Sequence, residues 1–352
     1  MTRMSHLLRG RWFYVGLGLV VLLIYGPQLM SVRHHDVPRA SVASMEASLR
    51  TGPPPAPMDP EALQRAAMRD PAVKTAVRVF TVFGLAVLIG CCSAVWRGVR
   101  TGQIRSLWRF SGELPSRWSL GEMGRVLLLA ATMLMLLPYV RLAGLIPGPT
   151  WVLDQHLWMA AGMVLVDGFV VLAILAFASA KHRSALGAFG ITPAQFRPAL
   201  SAGIRAYVVA LPVIVVVFCL VQTVFKLWDV KMPAEPIQEL LFDEPRTSVF
   251  LLTAFLACIV GPIAEELFFR GVLYPAIRGR TSPAVGIVAS AAVFSLFHTS
   301  LLGFIPILGL GCLLAYLYER TGSLLSPLLV HILHNTLLMS LAAIVRQAVL
   351  NA

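Results

Sequence analysis

Charge is scarce in this chain, and that scarcity excludes an ordinary soluble domain. Of its 352 residues only 13% are Asp, Glu, Lys or Arg, while 57% are hydrophobic; soluble domains run near about 25% charged. Cysteine is also sparse. Cys91, Cys92, Cys219, Cys258 and Cys312 all lie in apolar segments, with no Cys-x-x-Cys pair and no zinc-ribbon spacing. A disulfide framework and a structural zinc site are excluded, and the cysteines read as small buried hydrophobes. No basic cluster marks a soluble face. The arginines behind the formal net charge of +12 sit between apolar runs, which excludes a nucleic-acid partner and fits the positive-inside pattern of membrane proteins. Neither a repeat of 20–50 residues nor an inverted pair of Gly/Pro-broken helices is present, so solenoid and repeated-half transporter architectures have no support.

What the chain has instead is apolar length. About 20 helical residues cross a bilayer core, and that length recurs at roughly 12–30, 76–96, 126–145, 157–179, 206–226, 248–272, 283–300, 302–318 and 325–346. The expected fold is all-α: a polytopic integral membrane protein of about 8–9 transmembrane helices. Residues 1–30 form an anchor helix. Its basic flank (Arg3, Arg9, Arg11) precedes an apolar run with no Ala-x-Ala-like cleavage site, so it reads as retained rather than cleaved. Residues 31–74 carry Pro53, Pro54, Pro55, Pro57, Pro60 and Pro71 among mixed charges, the composition of an extracytoplasmic linker in which His34 and His35 are solvated. Residues 75–244 make the first part of the bundle and 245–346 its core.

Three connections are arginine-rich: 97–125, 181–205 and the stretch holding Arg278 and Arg280. The loop with Glu235, Glu239, Asp243 and Glu244 is net acidic. Alternating spans put the three basic connections and the N-terminus on one side, the cytoplasmic side, and the C-terminus outside. The expected home is a bacterial cytoplasmic membrane, with the lipid bilayer as the constant partner.

Polar residues intrude on the apolar runs in three places: Glu265-Glu266-x-x-x-Arg270, Phe294-x-x-x-His298, and His331-x-x-His334-Asn335. A charge at the bilayer centre costs about 2.5–3.5 kcal/mol on insertion scales, so such residues cluster at functional sites. Helical spacing stacks Glu266 on Arg270 as a neutralising pair and turns Glu265 to another face. Phe294 shares a face with His298, and His331 with Asn335; His334 points away and serves a neighbouring helix. Gly261-Pro262, just ahead of Glu265, reads as a local helix break. Counting from Arg280, Glu265 lies 15 residues back and His298 18 residues on, or about 22 and 27 Å at 1.5 Å per residue. From Arg320, His331 and Asn335 are 11 and 15 residues on, about 17–22 Å at the same rise. All four fit one intramembrane layer.

A carboxylate beside an imidazole can hold a water and take its proton; a second imidazole and an amide can meet a developing oxyanion. Glu265 and His298 take the first role, His331 and Asn335 the second. Asp167, alone in its span, is a candidate proton-relay residue, but nothing at helical spacing supports that role and it reads as structural; Met133 and Met135 read as packing or lipid-facing residues.

The ordered motifs Glu-Glu-x-x-x-Arg, Phe-x-x-x-His and His-x-x-x-Asn resemble those of the CPBP (CAAX protease and bacteriocin-processing, or Abi) intramembrane proteases, relatives of the Ras-converting CAAX endopeptidase. The resemblance covers about residues 245–340. It implies an endopeptidase with Glu265 as base, His298 as its partner, His331 and Asn335 as the oxyanion site, and Glu266, Arg270 and Phe294 supporting them. The implied partner is a membrane-embedded or membrane-anchored polypeptide. The family is described both as metal-free and as metallo-type. Glu265, His298 and His331 would be the zinc ligands, but no His-Glu-x-x-His helix exists and the metal-free reading is preferred. Two rival functions remain: a non-catalytic immunity or scaffold protein, and a proton-coupled transporter using the same polar residues.

Overall fold

The computed structural model describes residues 14–15, 71–102, 114–142, 155–182, 184–228, 246–298 and 302–350. The anchor helix, except Tyr14 and Val15, and nearly all of the linker lie outside the described residues. Every regular element described is helical. In chain order they are α1 (Pro71–Arg100), α2 (Leu120–Leu142), α3 (Gln155–Lys181), a 3₁₀ turn (Gly187–Phe189), α4 (Pro193–Leu227), a long helix α5 (Thr247–Arg278), α6 (Pro283–Phe297), α7 (Phe304–Thr321) and α8 (Leu325–Leu350). These eight helices overlap the apolar runs from 76 onward, but α1 begins at Pro71, inside the expected linker, and α4 begins at Pro193, inside the connection expected over 181–205, because the helix continues past the apolar run into polar turns. Among the described residues five segments are long and apolar enough to cross a membrane: in α2, α3, α5 and α8, and over Gly187–Leu227, which joins the 3₁₀ turn to α4. The protein is an all-α, multi-pass membrane protein.

Local chemistry fixes the helix ends. Ser119 and Glu122 form a capping box before α2: the Glu122 amide donates to Ser119 Oγ at 3.2 Å, and the Ser119 amide donates to Glu122 Oε2 at 2.8 Å, which satisfies two orphan donors at once. Ser282 caps α6, accepting from the Val285 amide at 3.3 Å, with Pro283 in the first turn. Gly322 ends α7 in the left-handed region at φ +63°. There the chain turns back as α8, and the 3₁₀ turn after α3 docks against it. Ser323 Oγ donates to the Gly190 carbonyl at 2.7 Å and the Leu324 amide to the Phe189 carbonyl at 3.0 Å. A side chain at Gly190 would collide with the Gly322 carbonyl, so only glycine admits this approach. The clamp sets where α8, with His331, stands against the rest of the bundle.

The helix α5 is where the fold departs from the sequence pattern. It is continuous but not uniformly α-helical. Leu256–Val260 and Glu266–Leu273 are π-helical, with α-helical turns before, between and after them. Gly261-Pro262 therefore widens the helix rather than breaking it. In the wider winding the amide of residue i bonds the carbonyl of i−5, and Gly261 does so with Leu256. Pro262 has no amide to give to the next carbonyl, Ala257. That carbonyl needs another donor.

Around α5 the buried core is aromatic: Phe268, Phe269, Tyr274, Phe294 and Tyr318 belong to one cluster with Phe189 and Trp118. Gly311 lets α7 approach α6, where an added Cβ would come within 3.0 Å of Ala291. The cysteines divide: Cys91 and Cys258 are buried as expected, whereas Cys92 and Cys219 are exposed on helix surfaces and Cys312 is half-buried.

Candidate active site

Glu265, at the end of the α-helical turn between the two π segments, faces two imidazoles from different helices. Its Oε2 lies 3.5 Å from His331 Nε2 on α8 and 4.0 Å from His298 Nε2 at the end of α6. The depth expected from residue counts is met, because the three side chains share one layer. Their access differs. Glu265 and His298 are 33% and 32% exposed, while His331 is 2% exposed. One wall of the site is thus open and the other closed.

Each ring is held by its other nitrogen. His298 Nδ1 donates to the Phe294 carbonyl at 2.8 Å. A carbonyl only accepts, so the proton of neutral His298 sits on Nδ1 and the Nε2 lone pair faces Glu265. His298 is not mid-helix, as the run 283–300 implied. It is the C-cap, one residue past the last α-helical position, which leaves its ring free of the helix barrel. Phe294, fully buried, packs its ring 4.5 Å from that of His298 and 5.7 Å from that of His331, between the two.

His331 Nδ1 donates to Glu266 Oε1 at 2.8 Å, and the same oxygen accepts from Arg270 Nη1 at 2.7 Å. Glu266 and Arg270 are each 1% exposed. The pairing expected at i, i+4 is present, and it has a purpose that spacing within one helix cannot reveal: Glu266 also carries His331. Arg270 completes its coordination with the Gly311 carbonyl at 3.3 Å and lies over the Phe294 ring at 4.2 Å. A buried cation so enclosed by an anion, a carbonyl and an aromatic face is compensated on every side.

Asn335, one turn beyond His331, donates from Nδ2 to the Ala257 carbonyl at 2.8 Å. This is the carbonyl that Pro262 leaves without its π-pattern donor. Asn335 therefore braces the first π segment, and the second N–H of its amide is what it retains for other work. His334 serves another helix, as expected: its Nδ1 pairs with Tyr207 OH on α4 at 2.9 Å. Asp167, read from the sequence as an isolated structural residue, sits half-buried on α3 within electrostatic reach of Glu265. A lone acidic residue with no motif around it gave no signal of that proximity.

Zinc was weighed for Glu265, His298 and His331, so its fit is a matter of geometry. Zinc–nitrogen and zinc–oxygen bonds of about 2.0–2.1 Å in a tetrahedron hold ligand atoms about 3.3 Å apart. The His331–Glu265 separation meets this and the His298–Glu265 separation, at 4.0 Å, exceeds it. Among the described residues no group of three or more His, Cys, Asp and Glu side chains is arranged to hold a metal ion. The donor set as placed does not fit a metal.

Residues 247–337 match the family model described as "Type II CAAX prenyl endopeptidase Rce1-like". They place this segment in the CPBP/CAAX protease family. The CPBP segment begins with the first residue of α5 and contains every residue of the layer above. Three curated proteins are similar to part of the chain. The "Putative membrane peptidase YdiL" of Bacillus subtilis is 31% identical over 85 residues, covering 24% of this chain and 35% of that protein. The "Membrane-embedded CAAX protease MroQ" of Staphylococcus aureus is 34% identical over 88 residues, 23% and 35% of the two chains. An "Uncharacterized 24.3 kDa protein" of Escherichia coli is 29% identical over 111 residues, 30% and 51% of the two. The CPBP match thus spans about a third to a half of the length of these relatives. No solved structure matches the chain.

Proposed function

We propose that the chain is an intramembrane endopeptidase that hydrolyses a peptide bond of a membrane-embedded or membrane-anchored polypeptide, with Glu265 as the base. The observation that carries the reading is the convergence of two imidazole Nε2 atoms on Glu265 Oε2, each ring anchored through Nδ1. Membership of the CPBP segment in a protease family, and a relative named as a membrane-embedded CAAX protease, support the same chemistry.

The derived mechanism uses this chain's side chains alone. A water between Glu265 and His298 donates one proton to the carboxylate as its oxygen attacks the scissile carbonyl carbon. His298 Nε2, an acceptor by its anchoring, takes the second water proton as a hydrogen bond and aims the lone pair. The oxyanion of the tetrahedral intermediate forms toward His331 and the spare N–H of Asn335. His331 is suited to donate there from Nε2, because Glu266 accepts from its Nδ1 and fixes the ring's orientation. Collapse breaks the C–N bond. The proton held by Glu265 passes to the leaving nitrogen, and the products are an amine and a carboxylic acid, which releases its remaining proton to water. Glu266 and Arg270 position His331 and take no part in proton transfer.

Reconstituted full-length protein tests this in lipid vesicles containing a pool of membrane-spanning peptides. His298→Ala and Glu265→Ala each lower cleavage by about 10²–10⁴-fold, the range of general acid–base catalysis, at unchanged protein level. Wild-type turnover after either substitution refutes the assignment. Exhaustive chelation leaves turnover unchanged; a loss restored by added zinc overturns the metal-free mechanism.

A further inference from the structure

The basic connections that bracket the bundle do more than set its orientation. At one end, where α2 begins, α3 ends and α5 gives way to α6, they enclose a cavity of about 780 Å³. Among the described residues four cations line it, Arg117, Lys181, Arg278 and Arg280, with one lining carboxylate, Glu122. Two of the four are fixed from behind. Lys181 Nζ donates to the Arg117 carbonyl and to both oxygens of Glu122, at 3.1 and 3.2 Å. Arg278 is forked onto the fully buried Glu319 by Nε at 2.7 Å and Nη2 at 2.8 Å, with Tyr274 OH donating to the same carboxylate at 2.6 Å. Arg117 and Arg280 are exposed, and no acidic partner for either is found among the described residues. Among the described residues Glu122 and Glu319 are paired with Lys181 and Arg278, while Arg117 and Arg280 add positive charge at the cavity. Trp118, buried in its wall beneath Lys181 at 5.7 Å, supplies an aromatic face of the kind found at membrane–water boundaries.

We propose that this cavity binds a phosphate-bearing anion, the headgroup of an anionic phospholipid. Paired guanidinium groups match phosphate oxygens in charge and in planar donor geometry, and basic pockets at the ends of membrane helices are suited to such headgroups. The volume admits a headgroup rather than a bare ion, and the cavity lies at one end of the bundle, between the ends of α2, α3 and α5. The carboxylates behind Lys181 and Arg278 do not cancel the site; they hold those two cations in place while Arg117 and Arg280 provide the surplus charge. The site is separate from the Glu265 layer, about 13 residues or about 20 Å along α5, and its existence does not depend on the proteolytic reading.

The full chain, purified in neutral detergent, is titrated with phosphatidylglycerol or phosphatidylcholine and the retained lipid counted by native mass spectrometry. The same experiment is run on R117Q/R280Q and on R197Q/R205Q, which removes two arginines from the start of α4, outside the cavity. Phosphatidylglycerol is retained in preference to phosphatidylcholine by the wild type and by R197Q/R205Q, and its retention falls about 10- to 30-fold in R117Q/R280Q. Glycerol 1-phosphate added as competitor separates the sources. Displacement at millimolar concentration assigns recognition to the phosphate alone, and failure to displace assigns it to the lipid; both agree with a phosphate site. Equal retention of the two lipids by the wild type, or equal losses in the two double variants, overturns the proposal.

Discussion

His298 and His331 present the same ring nitrogen to one carboxylate oxygen, yet they are anchored by opposite kinds of group. His298 hangs from a backbone carbonyl in its own helix, and His331 from a buried carboxylate on another. That difference separates their expected responses. In Glu266→Gln, Arg270 loses its anion inside a nearly closed core, a change that costs about 3–5 kcal/mol. The prediction is a fall in folded protein and in thermal midpoint larger than the loss of turnover per folded molecule; normal stability with abolished turnover would instead make Glu266 part of the chemistry. Tyr207→Phe removes the partner of His334 and costs about 0.5–1.5 kcal/mol. Turnover per folded molecule stays at the wild-type value, and a large loss would promote His334 from bystander to participant. The motif residues were legible because ionisable groups stand out in apolar runs. The link from Glu266 to His331 was not, since helical spacing reports contacts within one helix and this one spans 65 positions between two. The nearness of Asp167 on α3 to Glu265 on α5 was not legible for the same reason.

At the scale of elements, the widened winding of α5 decides which polar groups meet. The order and approximate positions of α1 to α8 could be read from apolar runs, but not all their lengths: α4 starts 13 residues ahead of the apolar run 206–226, where polar residues continue the helix. The π segments could not, because a 3.6-residue spacing assumes the winding it is used to infer. Pro262 is the residue through which the difference can be tested. Its missing amide leaves the Ala257 carbonyl to Asn335. In Pro262→Ala a backbone N–H returns and competes for that carbonyl in the same i−5 pattern, which releases Asn335 from its brace and frees its amide to leave the position it holds beside His331. Turnover falls about 10-fold or more, a scale typical of small misplacements at reacting centres, while the thermal midpoint stays level or rises because proline inside a helix is unfavourable. Unchanged turnover would mean that the bond from Asn335 to Ala257 does not position the amide for the reaction.

For the molecule as a whole, the arrangement is a rigid aromatic core around α5, α6 and α7, with polar chemistry at two depths. One lies within the apolar layer around Glu265; the other is at the basic rim. Scarce charge is what makes both conspicuous. The alternation of basic connections anticipated that Arg117, Lys181, Arg278 and Arg280 belong to one side, and the shared cavity brings them together. The central claim is that Glu265 performs hydrolysis inside the membrane. The most direct measurement compares the peptide termini in membranes of cells making the wild type, Glu265→Gln or His298→Ala at matched protein levels, by quantitative mass spectrometry. New termini at membrane-proximal sites in the wild type, absent from both variants, are the predicted result. The same termini appearing at the wild-type rate with Glu265→Gln would contradict it.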